Sequence, residues 1–308
     1  MKNRITVRVP ATSANLGASF DCLGLALNLY CDITVERSGK DEIIVTGLGK
    51  GEISENKTNL VYKAIKFFCE KSKITLPKLK ITINNNIPIY SGLGSSAAAI
   101  AGGLFAACAL LTNGRLYSKE DLLDMSLYFE SHPDNLAPAF LGGLNAASVS
   151  DKKAVAYRFD EFEEIFKHKA VVVLIPKLSI STDKSRVSLF EAKTKKTHKD
   201  YVEGMTKAVA NIIALAKGRF SMLHSTMNDK VWHQVQRKRD MPFMDKVFKS
   251  ARKAGADGSA LSGSGPVILS ICDEENADAV GKAMIKAFGK DGAYKVLKPD
   301  YEGVRCCE

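Results

Sequence analysis

No two of the seven cysteines stand at CxxC spacing, and their number is odd. Neither a tetrahedral zinc site nor a disulfide framework fits such a set, and scattered free thiols suit a reducing compartment. The terminal Cys306-Cys307-Glu308 is not a prenylation box. Long apolar runs are also missing. The longest, Ala97 to Leu111, is interrupted by Gly102 and Gly103 and falls short of the roughly 20 residues a bilayer crossing needs. The opening MKNRITVRVP alternates polar and apolar residues, unlike the apolar core of a signal peptide. These absences point to a cytoplasmic protein with no membrane partner. Internal repeats and low-complexity tracts are absent as well.

What the chain does have is an ordinary globular composition. Of 308 residues, 45% are apolar and 25% charged, which excludes a disordered or collagenous polypeptide. The length predicts two domains, each able to bury a core, with a boundary near residue 166: residues 1–166 and 167–308. Lys and Arg number 44 against 34 Asp and Glu, a net charge of +10. Such a balance suits nucleic acid or small anionic ligands. The basic residues are scattered, however, and the densest groups, Lys193 to Lys199 and Arg237-Lys238-Arg239, are not interleaved with aromatics. Nucleic acid is therefore not the expected partner.

Hydrophobic periodicity predicts strands over 4–9, 28–36 and 42–46, with a loop from Pro10 to Asp21. A helix follows to Lys71, capped by Thr58 or Asn59, then a strand from Leu79 that Pro88 closes. A small-residue helix starts near Ser95, and Ser118 caps another. Residues 142–149 and 154–159 read as a hairpin, and Ala170 to Ile175 as a β-branched strand. Helices over 200–216, 218–229, 243–254 and 275–288 and strands at 266–272 and 293–297 complete the pattern. Without regular βαβ alternation the fold class is α+β.

Three glycine-bearing segments concentrate the chemistry. In Pro88-Ile89-Tyr90-Ser91-Gly92-Leu93-Gly94-Ser95-Ser96-Ala97-Ala98, two glycines permit a tight turn close to a ligand, and two serines are placed to cap the following helix. The orphan N–H groups and dipole of that helix make an anion site, for which phosphate is the natural guest. A Walker A string occurs nowhere in the chain. GxGxxA is matched at 92–97, but the strand ends early, and no second strand with an acidic end follows. The second segment, Val9 to Asp21, is long and rich in small polar residues; Asn15 and Asp21 offer an amide and a carboxylate to a polar substrate or to the loop itself. The third runs from Gly255 to Pro266 and predicts a backbone lying against another backbone or a ligand.

In this order the segments resemble those of the GHMP kinases, the small-molecule kinases that include galactokinase, homoserine kinase and mevalonate kinase. The resemblance runs from Val7 to about Ser270. PxxxGLGSSAA at 88–98 is similar to the family's ATP-binding motif, and Leu261-Ser262-Gly263-Ser264-Gly265-Pro266 to its third, glycine-rich motif. The branch that phosphorylates homoserine is the most similar. Its EGHPDNxAPA signature is matched by Glu130 to Ala139, with Ser131 in place of glycine. Its PASSANLGPGFD segment is matched by Pro10 to Asp21, with Ala18-Ser19 where Pro-Gly is usual. Thr182 and Arg186 match TxxxR, and His233, Arg237 and Pro242 match HxxxR…P.

The resemblance implies a two-domain architecture, a ribosomal-protein-like N-terminal domain and a ferredoxin-like C-terminal α/β sandwich with the active site between them. It implies ATP as donor, L-homoserine as acceptor and Mg²⁺ as cofactor. Pro88, Ser91, Gly92, Leu93, Gly94, Ser95, Ser96, Ala97 and Ala98 would bind ATP, and Ser95 with Glu130, or Asp124 in its place, would hold the metal. Asn15, Asp21, His132, Asp134, Thr182, Arg186, Arg237 and Gly263 would bind the acceptor, the two arginines at its carboxylate. Arg186 and Asn135 carry the catalytic assignment. Asn135 stands near the place of an aspartate base in other branches, and an amide takes no proton. Hence no dedicated strong base is expected. A homodimer is the default for a soluble enzyme of this kind.

Overall fold

The computed structural model describes residues 3–112, 114, 116–177, 196–289 and 291–307. Two sheets organise them. The first has seven strands in the order β11-β1-β2-β4-β3, with β5 on β2 and β6 on β5. Its members are β1 (Arg4–Ala14), β2 (Leu23–Arg37), β3 (Glu42–Gly47), β4 (Leu79–Asn85), β5 (Leu144–Ser150), β6 (Lys153–Arg158) and β11 (Arg305–Cys307). β1 and β2 are longer than their alternation predicts. Pro10 ends the regular register, but a bulge between Pro10 and Ala11 lets pairing resume as far as Ala14↔Gly24. A bulge tolerates the missing proline N–H. The expected loop is thereby shortened to the residues after Ala14.

Helices α1 (Leu60–Lys71) and α2 (Ser95–Thr112) pack on each other, and α2 also lies on β1 and β2. Asn59 caps α1 through its side chain, which accepts from Val61 N–H. α2 is apolar on every side, and most of its residues are buried. This marks the central helix of a protein core, although its length and composition would also suit a membrane span. α3 (Lys119–Ser126) carries the reciprocal capping box of Ser118 and Asp121. α4 (Leu136–Leu141) and the short α5 (Phe162–Ile165) have no counterpart in the sequence pattern.

The second sheet contains β7 (Lys169–Pro176), β8 (Ala256–Leu261), β9 (Ile268–Asp273) and β10 (Gly292–Leu297), ordered β10-β7-β9-β8 and antiparallel throughout. That fourth-first-third-second order, with α9 (Met244–Lys253) and α10 (Ala277–Phe288) on one face, is the expected ferredoxin-like sandwich. The unbroken apolar run of β7 follows from burial on both faces. Val172 and Leu174 join the core under α9 and α10, while Val171 and Val173 join the core of the first sheet. A single apolar cluster thus spans both sheets.

The third glycine segment, expected as loop, is largely β8: its glycines are where other elements press close. A Cβ at Gly258 would lie 2.6 Å from Met227 Sδ and 2.7 Å from Leu223 Cβ. The helix expected over 218–229 is interrupted. After α6 (His198–Ala216) come a 3-10 turn at Phe220–Met222 and α7 (Leu223–Thr226). A further short helix, α8 (His233–Arg237), is entered on Asp229, whose carboxylate accepts from Val231, Trp232 and Gln234 N–H. Past β10 the chain returns to the first sheet. Buried Asp300 accepts from Tyr30 Oη, Glu302 N–H, Gly303 N–H and Arg305 Nη1, and this sets β11 against β1.

Candidate active site

The three segments meet. Thr12 N–H donates to Leu93 O (3.1 Å), Val267 N–H to Ser91 O (3.0 Å) and Gly263 N–H to Ala14 O (3.1 Å). Buried Ser262 adds a hydroxyl bond to Gly92 O (2.7 Å), and its Oγ lies 2.7 Å from Ser13 Oγ. Glycine is required where the strands of this weave cross. At Gly92 (φ +88°) a Cβ would sit 2.1 Å from Ser262 O, and at Gly94 (φ +69°) 1.9 Å from Thr12 Oγ1. Ser91 turns its hydroxyl onto Pro88 O (2.7 Å), closing the start of the loop, and Tyr90 has φ +53°.

The loop delivers the chain into α2. The bond from Ala98 N–H to Gly94 O (2.9 Å) opens that helix, so Ser95, Ser96 and Ala97 present N–H groups without an i−4 helical partner at its head. The serines were expected to cap it. Instead Ser96 turns its hydroxyl to Glu130 Oε1. Glu130 therefore stands at the helix head beside Ser96 rather than Ser95. Asp124, the alternative acid, accepts from Ala154 N–H (2.9 Å) and helps hold the start of β6. Among the described residues no three His, Cys, Asp or Glu side chains group to hold a metal by themselves. One carboxylate with hydroxyl oxygens is, however, a donor set that suits Mg²⁺ shared with phosphate.

A cluster of polar side chains adjoins the loop. Thr12 Oγ1, directly against Gly94, donates to Asn135 Oδ1 (2.8 Å). Asn15 (φ +72°) accepts from Asp21 N–H (2.8 Å) and donates to Gly263 O (3.4 Å). Asp21 (φ +54°) lies 3.4 Å from His132 Nδ1. Asp134 is buried and accepts from Asn135 N–H (2.9 Å). Burial first, then the charges of Asp21 and Glu130, push its carboxyl up to about 7. Thus Asn15, Asp21, His132, Asp134, Asn135 and Gly263 gather as the sequence suggests.

Arg237 is fully buried on α8, and burial lowers its pKa against the opposing pull of Asp240. Its helix meets the loop that carries Asp21 through His233, whose ring packs edge-on against Phe20 at 5.2 Å. Burial, opposed by Asp229, holds His233 down at about 4. Thr182 and Arg186 lie outside the described residues. Thr12, Ser13 and Ser262 were not singled out from the sequence. Their only signal there is a small hydroxyl residue inside a glycine-bearing segment.

Gly92→Ala should destabilise the protein by about 1–3 kcal/mol, since strain adds to backbone overlap, and should weaken Mg-ATP binding at least about tenfold. Calorimetric titration and chemical denaturation measure the two effects. Gly51→Ala is the control: its φ is also positive (+85°), but no atom lies within 4 Å of the added Cβ, so ATP affinity should hold. For Asp134, a pKa raised from 3.8 to about 7 means that the fold favours the protonated form. Its contribution to stability is complete below about pH 4 and is lost as pH rises through about 7. The Tm of the ligand-free protein should fall over that range, and Asp134→Asn should flatten the fall; parallel pH curves would contradict the assignment.

Comparison with known proteins matches this arrangement. The model of the GHMP kinases N terminal domain matches residues 59–143, and that of the GHMP kinases C terminal domain residues 211–291. A homoserine kinase of Moorella thermoacetica is 38% identical over 293 residues, 95% of each chain. One of Carboxydothermus hydrogenoformans is 40% identical over 303 residues, covering 97% of this chain and 95% of its own. The crystal structure of homoserine kinase from Cytophaga hutchinsonii superposes with a TM-score of 0.87 at 26% identity, covering 100% of this chain and 98% of the other. With a glycine loop feeding a helix head, a polar cluster beside it and relatives spanning nearly its whole length, the chain belongs to the GHMP kinase family.

Proposed function

We propose that the chain transfers the γ-phosphoryl group of ATP to the hydroxyl of L-homoserine, giving ADP and O-phospho-L-homoserine for threonine biosynthesis. One observation carries the reading: Thr12 joins the phosphate loop to the polar pocket, with Gly94 at its hydroxyl and Asn135 2.8 Å away. Donor and acceptor sites are therefore adjacent. The relatives named homoserine kinase, similar over almost the full length, support the choice of acceptor.

In this reading Gly92, Gly94, Ser95 and Ser96 wrap the phosphates, flanked by Pro88, Ser91, Leu93, Ala97 and Ala98. Phosphoryl transfer depends on positioning and charge neutralisation more than on covalent chemistry, which is what N–H groups at a helix head supply. Ser95, Ser96 and Glu130 would hold Mg²⁺, whose chemistry when bound is neutralisation of phosphate charge. Asn15, Asp21 and His132 take the ammonium and hydroxyl ends of the acceptor, with Asp134 and Gly263 lining the pocket. Arg237, together with Arg186 and Thr182, takes the carboxylate. Asn135 orients the hydroxyl without accepting its proton, which passes to the phosphate in a loose transition state. The division at residue 166 is retained, with β11 added to the N-terminal unit. Seven free thiols accord with a cytoplasmic location.

ADP release from Mg-ATP should be strong with L-homoserine and weak with D-homoserine, L-serine, L-threonine, mevalonate or galactose. Glu130→Gln should raise the Mg²⁺ concentration needed for half-maximal rate. Turnover of mevalonate in preference to L-homoserine would overturn the acceptor while leaving a kinase.

A further inference from the structure

The acceptor loop is held from behind by a residue far away in sequence. Asn211, on α6, is fully buried, as is nearly all of Thr226 on α7. Asn211 Nδ2 donates to Leu16 O (2.9 Å) and to Ser19 Oγ (3.1 Å), and its Oδ1 accepts from Thr226 Oγ1 (3.1 Å). Both amide hydrogens and the carbonyl are thus engaged. This settles the orientation of the amide, because the reverse would place its oxygen against the Leu16 carbonyl.

The segment gripped in this way needs gripping. Asn15, Leu16 and Asp21 are non-glycine residues with φ of 72°, 42° and 54°, and such backbone persists only where its surroundings over-determine it. The same side of the loop is closed at Gly17, where a Cβ would lie 2.2 Å from Met227 O. Ser19 O accepts from Cys22 and Leu23 N–H, so the residue that Asn211 holds by its hydroxyl also opens the turn that carries Asp21. An apolar side chain at 211 would fill the space but leave the buried Leu16 carbonyl without this donor.

We infer that Asn211, oriented by Thr226, is a positioning residue that fixes Asn15 and Asp21 for binding the acceptor. It is fully buried behind the loop, with Leu16, Ser19 and Thr226 as its partners, and it acts on one substrate only. The inference rests on the reading of Asn15 and Asp21 given above.

The test is steady-state kinetics on the intact protein, varying L-homoserine at saturating Mg-ATP and then the reverse. The variants are Asn211→Ala, Thr226→Val, Asp21→Asn and the double Asn211→Ala/Asp21→Asn. Asn211→Ala should raise the homoserine KM about tenfold and the near-isosteric Thr226→Val about threefold, with the ATP KM changed less than about twofold. In the double variant the two rises should combine to less than their product, because both act on one contact. Should Asn211→Ala fail to fold, Thr226→Val alone decides. Equal changes in both KM values, or no change, in a folded variant would overturn the inference. If Asp21→Asn raises the homoserine KM and the Asn211 and Thr226 variants do not, the inference alone fails. An unchanged KM in Asp21→Asn would overturn the acceptor-site reading and the inference with it.

Discussion

Ser262 Oγ lies 2.7 Å from the carbonyl of Gly92 and 2.7 Å from Ser13 Oγ, with none of the residue exposed to solvent. A hydroxyl has one proton to give. Ser262 gives it to Gly92, so in the second contact it must accept from Ser13. Ser262 N–H is in turn donated to Val267 O, and Ser262 O accepts from Gly265 N–H. Every polar group of this serine is satisfied within protein, so shifting any partner would strand a buried one. This residue ties the glycine loop, the opening strand and the end of β8 to one another. The rest of the site hangs from it: Thr12 next to Ser13 reaches Asn135, and Gly263 next to Ser262 receives Asn15.

The electrostatics of the pocket run against the charge of the chain. A protein of net charge +10 gathers Asp21, Glu130 and Asp134 close enough that the first two raise the pKa of the third. Burial and mutual repulsion favour a proton on Asp134. In the function proposed above, a metal ion at Glu130 and an ammonium group at Asp21 would offset the same repulsion. Binding of cationic partners and ionisation of Asp134 are therefore linked with the same sign.

Much of the fold was legible because hydrophobic period reports burial. Alternation gave β4 and the β5–β6 hairpin, and Ser118 as a cap placed α3. The β-branched run at 170–175 became a strand buried on both faces. Elements that violate local rules were missed. β1 continues past Pro10 through a bulge. α4 contains Pro138 in its first turn, and β8 carries Gly258 where Leu223 and Met227 press on it. The three-residue β11 is fixed by Asp300, a long-range anchor rather than a pattern. At the site, glycine and serine marked the loop that feeds the head of α2. Asn211 and Thr226 gave no signal, since their roles exist only once residues some 195 apart in sequence have met.

The measurement that tests the account most directly is a double-mutant cycle between Ser13→Ala and Ser262→Ala, read out as Mg-ATP affinity and as homoserine KM. If one buried bond holds the donor and acceptor sites in register, each single variant weakens both substrates. The pair then shows a coupling of about 1 kcal/mol or more in each readout. Additive effects, or a loss confined to ATP, would mean that the two sites are held independently and that the serine contact only fills space.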